Sequence, residues 1–286
     1  MRMDTLGEPG LSLVGFLNEA DAIAHLANHC ICANPDPAAL AAEWTAAKAK
    51  LGAAFPDAGH PDIQPIPRAG HEHLESLQAA PWTADVFGAG GLWHGSEFKM
   101  IELDPLLSFQ FAIGDGRSKH FGGTLTTPPT MDELLNLCLP LSPRAENFEI
   151  FNSPNGIILK ARSLNVMSFG GGIFNSAFMG IQFGVSLPFL PVVRLNGRCY
   201  LHNGFHRALA IRKAGATHAP CIFRDVSDHA AAGIRTDGRT FGAQLLESAN
   251  PPTIGHFTHG RAYGVQLKNV ARYLHVSWAE YIIPDE

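Results

Sequence analysis

The sequence has few charged residues, and its lysine and arginine residues do not form blocks. Of 286 residues, 16% are charged, and the formal net charge at pH 7 is −5. Broad nucleic-acid binding usually needs a basic face that neutralises phosphates, so we predict that nucleic acid is not a partner. The 46% of hydrophobic residues is enough for one large core or two modest ones.

Long apolar runs are also missing. The longest apolar region, residues 173–193, is interrupted by Asn175, Ser176, Gln182 and Ser186. It therefore lacks the roughly 20 uninterrupted apolar residues that a membrane span needs. The chain also shows no charged start followed by an apolar run, the pattern of a signal peptide. These observations predict a cytoplasmic protein without membrane contact.

Cysteine is scarce, and the five cysteines are odd in number and scattered, which favours reduced thiols over a disulfide framework. Four potential metal ligands, His25, His29, Cys30 and Cys32, do lie close together. Helical spacing puts the two histidines on one face. A C-x-C pair at a helix end, however, predicts thiols that point apart, so we predict no metal site.

The sequence does contain a strand, a tight turn and a cationic helix start. Short β-prone runs, Asn-Gly turns and a helix-forming run follow one another: Val192–Leu195, Asn196-Gly197, Arg198–Leu201, Asn203-Gly204, Phe205–Ala214 and Pro220–Phe223. Asn-Gly favours a hairpin turn. Gly215 is a natural residue to follow the end of a helix.

The helix predicted to start at Phe205 has two basic residues in its first turn. A helix start carries free N–H groups and a partial positive charge, so His206 and Arg207 there cost about 0.3–1 kcal/mol if nothing compensates. A phosphate would compensate, because the backbone N–H groups and the guanidinium would bind it together. The candidate phosphate-binding residues are therefore Asn203, Gly204, Phe205, His206 and Arg207. In the alternative interpretation, Arg207 pairs with a carboxylate from elsewhere in the fold.

The run NGRCYLHNGFHRALAIRKAGATHAPCIF resembles the ParB/sulfiredoxin superfamily, in which a strand leads into a Gly-x-x-Arg turn, a short helix and another strand. The match covers residues 192–223, and a weaker similarity to the opening strand and turn covers residues 98–107. The resemblance implies an α+β fold, a mixed sheet with short helices, at residues 91–230. A helical N-terminal extension at 1–90 and a small C-terminal β extension at 231–286 would pack on this core.

Members of this superfamily have different functions, and the chain departs from their site motifs. Sulfiredoxins have a catalytic cysteine directly before the His-Arg pair, where this chain has Phe205, so sulfiredoxin chemistry is not expected. In ParB proteins the turn is Gly-Glu-Arg-Arg and forms part of a CTP site. Only Gly204 and Arg207 match it here, so the choice of nucleotide stays open. Free serine kinases use a glutamate soon after the opening strand, and residues 108–111 supply none.

The leading hypothesis is a ParB-like nucleotide-binding protein that holds the phosphates of ATP or CTP at Asn203–Arg207. Hydrolysis or transfer of the terminal phosphoryl group with Mg²⁺ needs mainly positioning and neutralisation of charge. The catalytic candidates are His206 and the nearest carboxylates, Glu102, Asp104 and Asp115. Whether the protein is an enzyme stays open at this point.

Two further basic residues and two rival functions complete the hypotheses. Lys160 and Arg162 follow Asn155-Gly156 and would form a second, phosphate-binding hairpin beside the site.

The first rival function is a non-enzymatic interaction module that keeps the fold and binds a protein partner or a second copy of itself. The second is a nuclease, a label often attached to this superfamily, although the low basic content weighs against it.

Both ends of the chain also have regular patterns. Three helices are predicted in the first ninety residues: one capped by Asn18, one from Asp36-Pro37 to Leu51, and one around residues 71–77. Alternating apolar residues from Tyr263 to Tyr281 predict a late hairpin.

Overall fold

The computed structural model describes residues 7–32, 34–89, 91, 93–142, 148–161, 166–175, 178–185, 188–234, 240–268 and 272–277. The chain forms two compact units. Unit 1 comprises Met1–Ser142 and Phe189–Lys268, and unit 2 comprises Pro143–Pro188 and Asn269–Glu286.

The described chain contains both helices and strands, which confirms the predicted α+β class. The helices are α1 (Glu19–His29), α2 (Pro37–Leu51), α3 (His71–Ala79), α4 (Ala84–Phe87), α5 (Asp115–Gly122), α6 (Met131–Cys138), α7 (Phe205–Lys213), α8 (Ala243–Leu246) and α9 (Ile254–Thr258). The strands are β1 (Glu8–Ser12), β2 (Ile63–Pro65), β3 (Glu97–Glu102), β4 (Ala112–Gly114), β5 (Phe148–Ser153), β6 (Gly156–Ala161), β7 (Val166–Asn175), β8 (Phe178–Val185), β9 (Pro191–Leu195), β10 (Arg198–Leu201), β11 (His218–Asp225), β12 (Tyr263–Leu267) and β13 (Arg272–Ser277). Within the described residues, no helix combines the length and apolar character needed to cross a membrane.

The main sheet of unit 1 has the strand order β10-β9-β11-β3-β2. Strands β9 and β11 are parallel, and the other neighbours are antiparallel. Its middle strands are built from apolar residues such as Ile101, Val192 and Ile222, all fully buried. Helix α7 connects β10 to β11, and it buries Leu209 and Ile211 in the same core. Because α7 starts directly after β10, the Asn-Gly turn before it lies at the end of this sheet.

A second sheet of unit 1 has the order β12-β1-β4. Helices α1 and α2 contribute apolar residues to a core cluster that includes Leu26, Leu40 and Ala47, against which residues of β12 pack. The Asn18 side chain caps α1 by accepting the Asp21 N–H bond at 2.9 Å. The three helices predicted in the first ninety residues are confirmed as α1, α2 and α3.

The division expected from the sequence, 1–90, 91–230 and 231–286, does not coincide with the two units. Strand β1 pairs with β12, with Glu8 opposite Leu267, and β2 pairs with β3. Both ends of unit 1 therefore contribute to its sheets. The difference arises because strand pairing joins segments that are distant in sequence. The composition along the chain does not indicate which segments pair.

Unit 2 contains a three-stranded sheet of order β13-β6-β5 and the two-stranded pair of β7 and β8. Strands β5 and β6 form the hairpin predicted at Asn155-Gly156. The late hairpin predicted from Tyr263 to Tyr281 is wrong: β12 pairs with β1, whereas β13 pairs with β6. The alternation of apolar residues predicted both strands, but it could not predict which strands they pair with.

Candidate functional site

The strand-turn-helix predicted at residues 192–223 is present. Strands β9 and β10 form a hairpin whose turn residues, Asn196 and Gly197, have φ angles of 51° and 79°. Asn-Gly favours this left-handed turn geometry. Helix α7 begins at Phe205 and is followed by Gly215, whose φ of 97° ends it as expected.

Gly204 has a backbone conformation that only glycine adopts easily. Its φ is 93° and its ψ is 21°, in the left-handed region. A Cβ atom there would lie 2.6 Å from Leu190 Cδ1 and 3.1 Å from Arg207 Nη2. The Gly204 N–H donates to Asn203 Oδ1 at 2.6 Å. The turn is therefore fixed by local chemistry and has no space for a side chain.

Arg207 lies beneath this turn and is only 5% exposed. Its Nη2 donates to the Phe189 carbonyl at 2.5 Å, and its Nη1 donates to the Leu137 carbonyl, near the end of α6, at 3.4 Å. A cation near the C-terminus of a helix is favourable. These bonds differ from the predicted phosphate contact: the guanidinium joins the first turn of α7 to the backbone at Leu137 and Phe189.

Phe205, predicted to contact the ligand, has a different environment. Its side chain is 2% exposed and packs edge-on against Phe109, with the ring centroids 5.3 Å apart. Burial of an aromatic ring supports the start of α7 through the hydrophobic effect. Only the backbone of Phe205 belongs to the candidate site.

His206 lies in the first turn of α7, where the charges of nearby arginine residues act on its imidazole. Burial, together with the charges of Arg117 and Arg207, lowers its pKa from 6.5 to about 4. Arg117 belongs to α5, which packs against α7. The first turn of α7 has no acidic residue. The charges of two arginine residues thus act on an imidazole in the first turn of α7.

The candidate catalytic carboxylates Asp104 and Asp115 lie at the other end of α7. Asp104 accepts both Nε and Nη2 of Arg212, at 2.8 and 2.7 Å. Asp115 accepts Lys213 Nζ at 2.8 Å. At 1.5 Å per residue, the Cα atoms of Arg212 and Lys213 are about 9–10 Å along the helix from that of His206. The carboxylates are therefore not grouped around the predicted phosphate position.

Neighbouring groups already occupy these carboxylates. Burial by itself would raise the pKa of Asp104, but hydrogen bonds from Arg212, His259 and Thr258 lower it overall. The His259 Nε2 and Thr258 Oγ1 atoms lie 2.9 and 3.0 Å from the carboxylate oxygens.

Asp115 and Glu102, the other two candidate carboxylates, also have hydrogen-bond partners. Hydrogen bonds from Lys119 and Lys213 lower the pKa of Asp115, and Glu102 Oε2 accepts the Asp62 N–H bond at 3.2 Å. Mg²⁺ needs carboxylates that are free to coordinate it. Asp104 and Asp115 are engaged by basic side chains, whereas Glu102 accepts one backbone hydrogen bond.

Lys160 and Arg162 are the second pair of residues predicted to bind phosphate. Lys160 belongs to unit 2, where its Nζ contacts both carboxylate oxygens of Glu149 at 3.1 Å. Arg162 lies outside the described residues. The strand-turn-helix belongs to unit 1.

Sequence reasoning missed two residues that shape this region. Arg117 comes near His206 because α5 packs on α7, and Arg212 binds Asp104 from the last turn of α7. Helical periodicity predicts the face of α7 on which Arg212 lies, and this is a partial signal for its position. For Arg117 no local signal exists, because the packing of two helices that are distant in sequence determines the contact.

The segment with Cys30 and Cys32, for which the sequence predicts no metal site, differs from the prediction in the direction of its thiols. Cys30 and Cys32 line the same pocket of unit 1, whereas the sequence predicted thiols that point apart. Within the described ranges, no group of three or more His, Cys, Asp or Glu residues is placed to hold a metal ion.

Comparison of the chain with protein-family models, curated proteins and solved structures found no match.

Proposed function

We propose that the protein binds the phosphate groups of a nucleotide, ATP or CTP, at the turn that starts α7. The single observation that carries this proposal is that the first turn of α7, which contains His206 and Arg207 and no acidic residue, packs near α5, whose Arg117 also acts electrostatically on His206. The backbone N–H groups of the first turn and the side chains of His206 and Arg117 are the proposed contacts. Arg207 is a positioning residue, because its hydrogen bonds join the first turn of α7 to the carbonyls of Leu137 and Phe189.

The electrostatic argument is direct. Like charges near a buried imidazole disfavour its protonated form, which lowers its pKa. A bound dianion would reverse this effect, since it would interact favourably with the guanidinium groups, the helix N-terminus and the protonated imidazole. The resemblance of this segment to a family with a nucleotide site at the corresponding turn supports a nucleotide over other anions.

We propose binding without phosphoryl transfer by the named carboxylates. Asp104 and Asp115 are held by Arg212 and Lys213 at the far end of α7. Neither is placed to orient an attacking group at the turn. Magnesium would then reach the site only as part of the nucleotide complex, and Mg²⁺ is expected to modify affinity rather than to support turnover.

A thermal-shift titration with ATP, ADP, CTP and GTP, each with and without Mg²⁺, tests the proposal. A ligand at 100 times its Kd stabilises the folded state by about 2.7 kcal/mol, which raises Tm measurably. We expect a shift with ATP or CTP that is largely lost in Arg117→Gln. The matched control is Arg68→Gln, which removes an exposed arginine elsewhere in unit 1.

Two results would contradict the proposal. One is the absence of a shift with all four nucleotides at low ionic strength. The other is a shift of equal size in the wild type, Arg117→Gln and His206→Gln, which would place the nucleotide elsewhere. Arg207→Ala does not serve as a binding test, because loss of its contacts with the Leu137 and Phe189 carbonyls affects folding itself.

A protein-interaction module is the second candidate, because one strand of unit 2 exposes large apolar side chains. Ile150 and Phe151 of β5 are 65% and 45% exposed, and β5 is an edge strand of its sheet in the described part of the chain. Exposed edge strands are ready to pair with another chain. Sedimentation of Ile150→Lys against the wild type tests this: concentration-dependent association that the substitution abolishes would support it.

A further inference from the structure

Unit 1 contains a pocket of about 390 Å³ near the end of α1. It is formed by the segment that follows α1, by α2 and by strands β1 and β12, and its lining includes Cys30, Cys32, Glu43 and Tyr263. A pocket of this volume holds a small ligand or an ion. It is separate from the turn at the start of α7.

The two cysteines lie on one side of their segment. The backbone of Cys30 is extended, with φ −111° and ψ 155°, and residues two apart in an extended chain face the same side. Cys30 belongs to the buried core cluster around Leu26, and Cys32 packs against the same cluster. The Cys32 Sγ also lies 3.7 Å from the Leu26 carbonyl. Ile31, between them, is 39% exposed.

Charged groups around the pocket act on the thiols in opposite directions. Burial, followed by the nearby Cys32 and Glu43, raises the pKa of Cys30 to about 12, although Lys268 acts to lower it. The pKa of Cys32 is raised by burial and by Glu43, again against Lys268. The Lys268 ammonium is fixed near the end of α1 by the carbonyls of Ala27 and Asn28, at 2.7 and 3.2 Å.

We propose that Cys30 and Cys32 form a two-coordinate site for a thiophilic monovalent cation. Cu(I) is the cation used to test this site. Thiolate ligands select Cu(I) because both are soft. Two thiols are the full ligand set of a linear ion of this kind, whereas they are only half of a tetrahedral zinc site. This site is independent of the nucleotide proposal, and either can fail without the other.

Binding is a ligand exchange without a redox change. Two S–H bonds break, two Cu–S bonds form and two protons leave to solvent. The site then changes from two neutral thiols to an anionic bis-thiolate complex of Cu(I). Lys268 is placed to balance that negative charge, while Glu43 repels it.

The test is anaerobic competition for Cu(I) between the full chain and a chromogenic Cu(I) chelator, with thermal unfolding as a check of the fold. The wild type should bind one equivalent without a fall in Tm. Cys32→Ala should lower the affinity about 100-fold or more, since one of two thiolates is lost. Cys199→Ala removes a thiol buried in β10, away from the pocket, and should bind as the wild type does.

A second variant reports on the charge balance. Glu43→Gln removes a negative charge beside the bis-thiolate and should tighten Cu(I) binding by up to about 10-fold. A loss of affinity in Glu43→Gln would make Glu43 a ligand and would overturn the two-coordinate assignment. So would tighter binding of zinc than of Cu(I). Equal affinity in Cys32→Ala and the wild type, or copper uptake only with a fall in Tm, would overturn the site altogether.

Discussion

At the scale of single residues, Arg207 shows how the same side chain can suit two different roles. In the sequence it is a cation at a helix start, which predicts an anion contact. In the fold its guanidinium is buried and donates to the carbonyls of Phe189 and Leu137. Buried carbonyls need hydrogen-bond donors, and a long arginine side chain reaches two of them at once.

The residue-scale prediction is that Arg207→Ala lowers the free energy of unfolding by about 2–4 kcal/mol, because it removes packing and leaves buried carbonyls without these donors. Urea unfolding followed by circular dichroism measures this. Arg68→Ala, at an exposed position, should change stability by only about 0.5 kcal/mol or less. Equal effects of the two substitutions would contradict the structural role given to Arg207.

At the scale of elements, the turn before α7 depends on glycine for two separable reasons. Gly204 has a positive φ, and its missing side chain leaves space for Leu190. Gly197 also has a positive φ, 79°, but a Cβ there would have no atom within 4 Å. The two positions therefore separate the cost of backbone conformation from the cost of a steric clash.

We predict that Gly197→Ala destabilises the fold by about 1 kcal/mol, the cost of a left-handed backbone, whereas Gly204→Ala costs about 1–3 kcal/mol more because Leu190 must move. Urea unfolding of both variants gives the comparison. If Gly197→Ala were as destabilising as Gly204→Ala, the clash with Leu190 would not be the source of the difference.

Elements whose signals are local could be predicted from the sequence. Asn196-Gly197 predicts its hairpin, Asn18 its helix cap, and Pro37 the first turn of α2, because each acts through residues a few positions away. The partner of β12 could not be predicted, since β1 lies more than two hundred residues earlier. The same holds for the candidate site: the turn predicts Gly204, whereas the effect of the Arg117 charge on His206 depends on how α5 packs on α7.

At the scale of the whole molecule, three histidines with lowered pKa values link folding to pH. The pKa values of His25, His206 and His256 all fall to about 4, chiefly through burial. A folded pKa below the unfolded value of 6.5 means that folding favours the neutral imidazole. The stability it contributes is complete above about pH 6.5 and is lost as the pH falls toward 4.

We predict that the free energy of unfolding falls by about 2 kcal/mol between pH 7 and pH 5 from His256 alone, since its folded pKa lies below that range. His256 is fully buried, and its Nδ1 accepts the Thr253 N–H bond at 3.1 Å. The variant His256→Asn keeps an acceptor but cannot titrate, so its stability should fall less over this range. The same pH dependence in both proteins would contradict the prediction.

The central claim is that the start of α7 binds the phosphates of a nucleotide, and titration of the His206 imidazole by NMR tests it most directly. The ring is assigned by comparison with His206→Gln, and its pKa is measured without ligand and with saturating ATP or CTP. We predict a pKa of about 4 in the free protein and a clear rise when the nucleotide is bound, because the phosphate stabilises the protonated ring. A nucleotide that saturates the protein and leaves the His206 pKa unchanged would contradict the account.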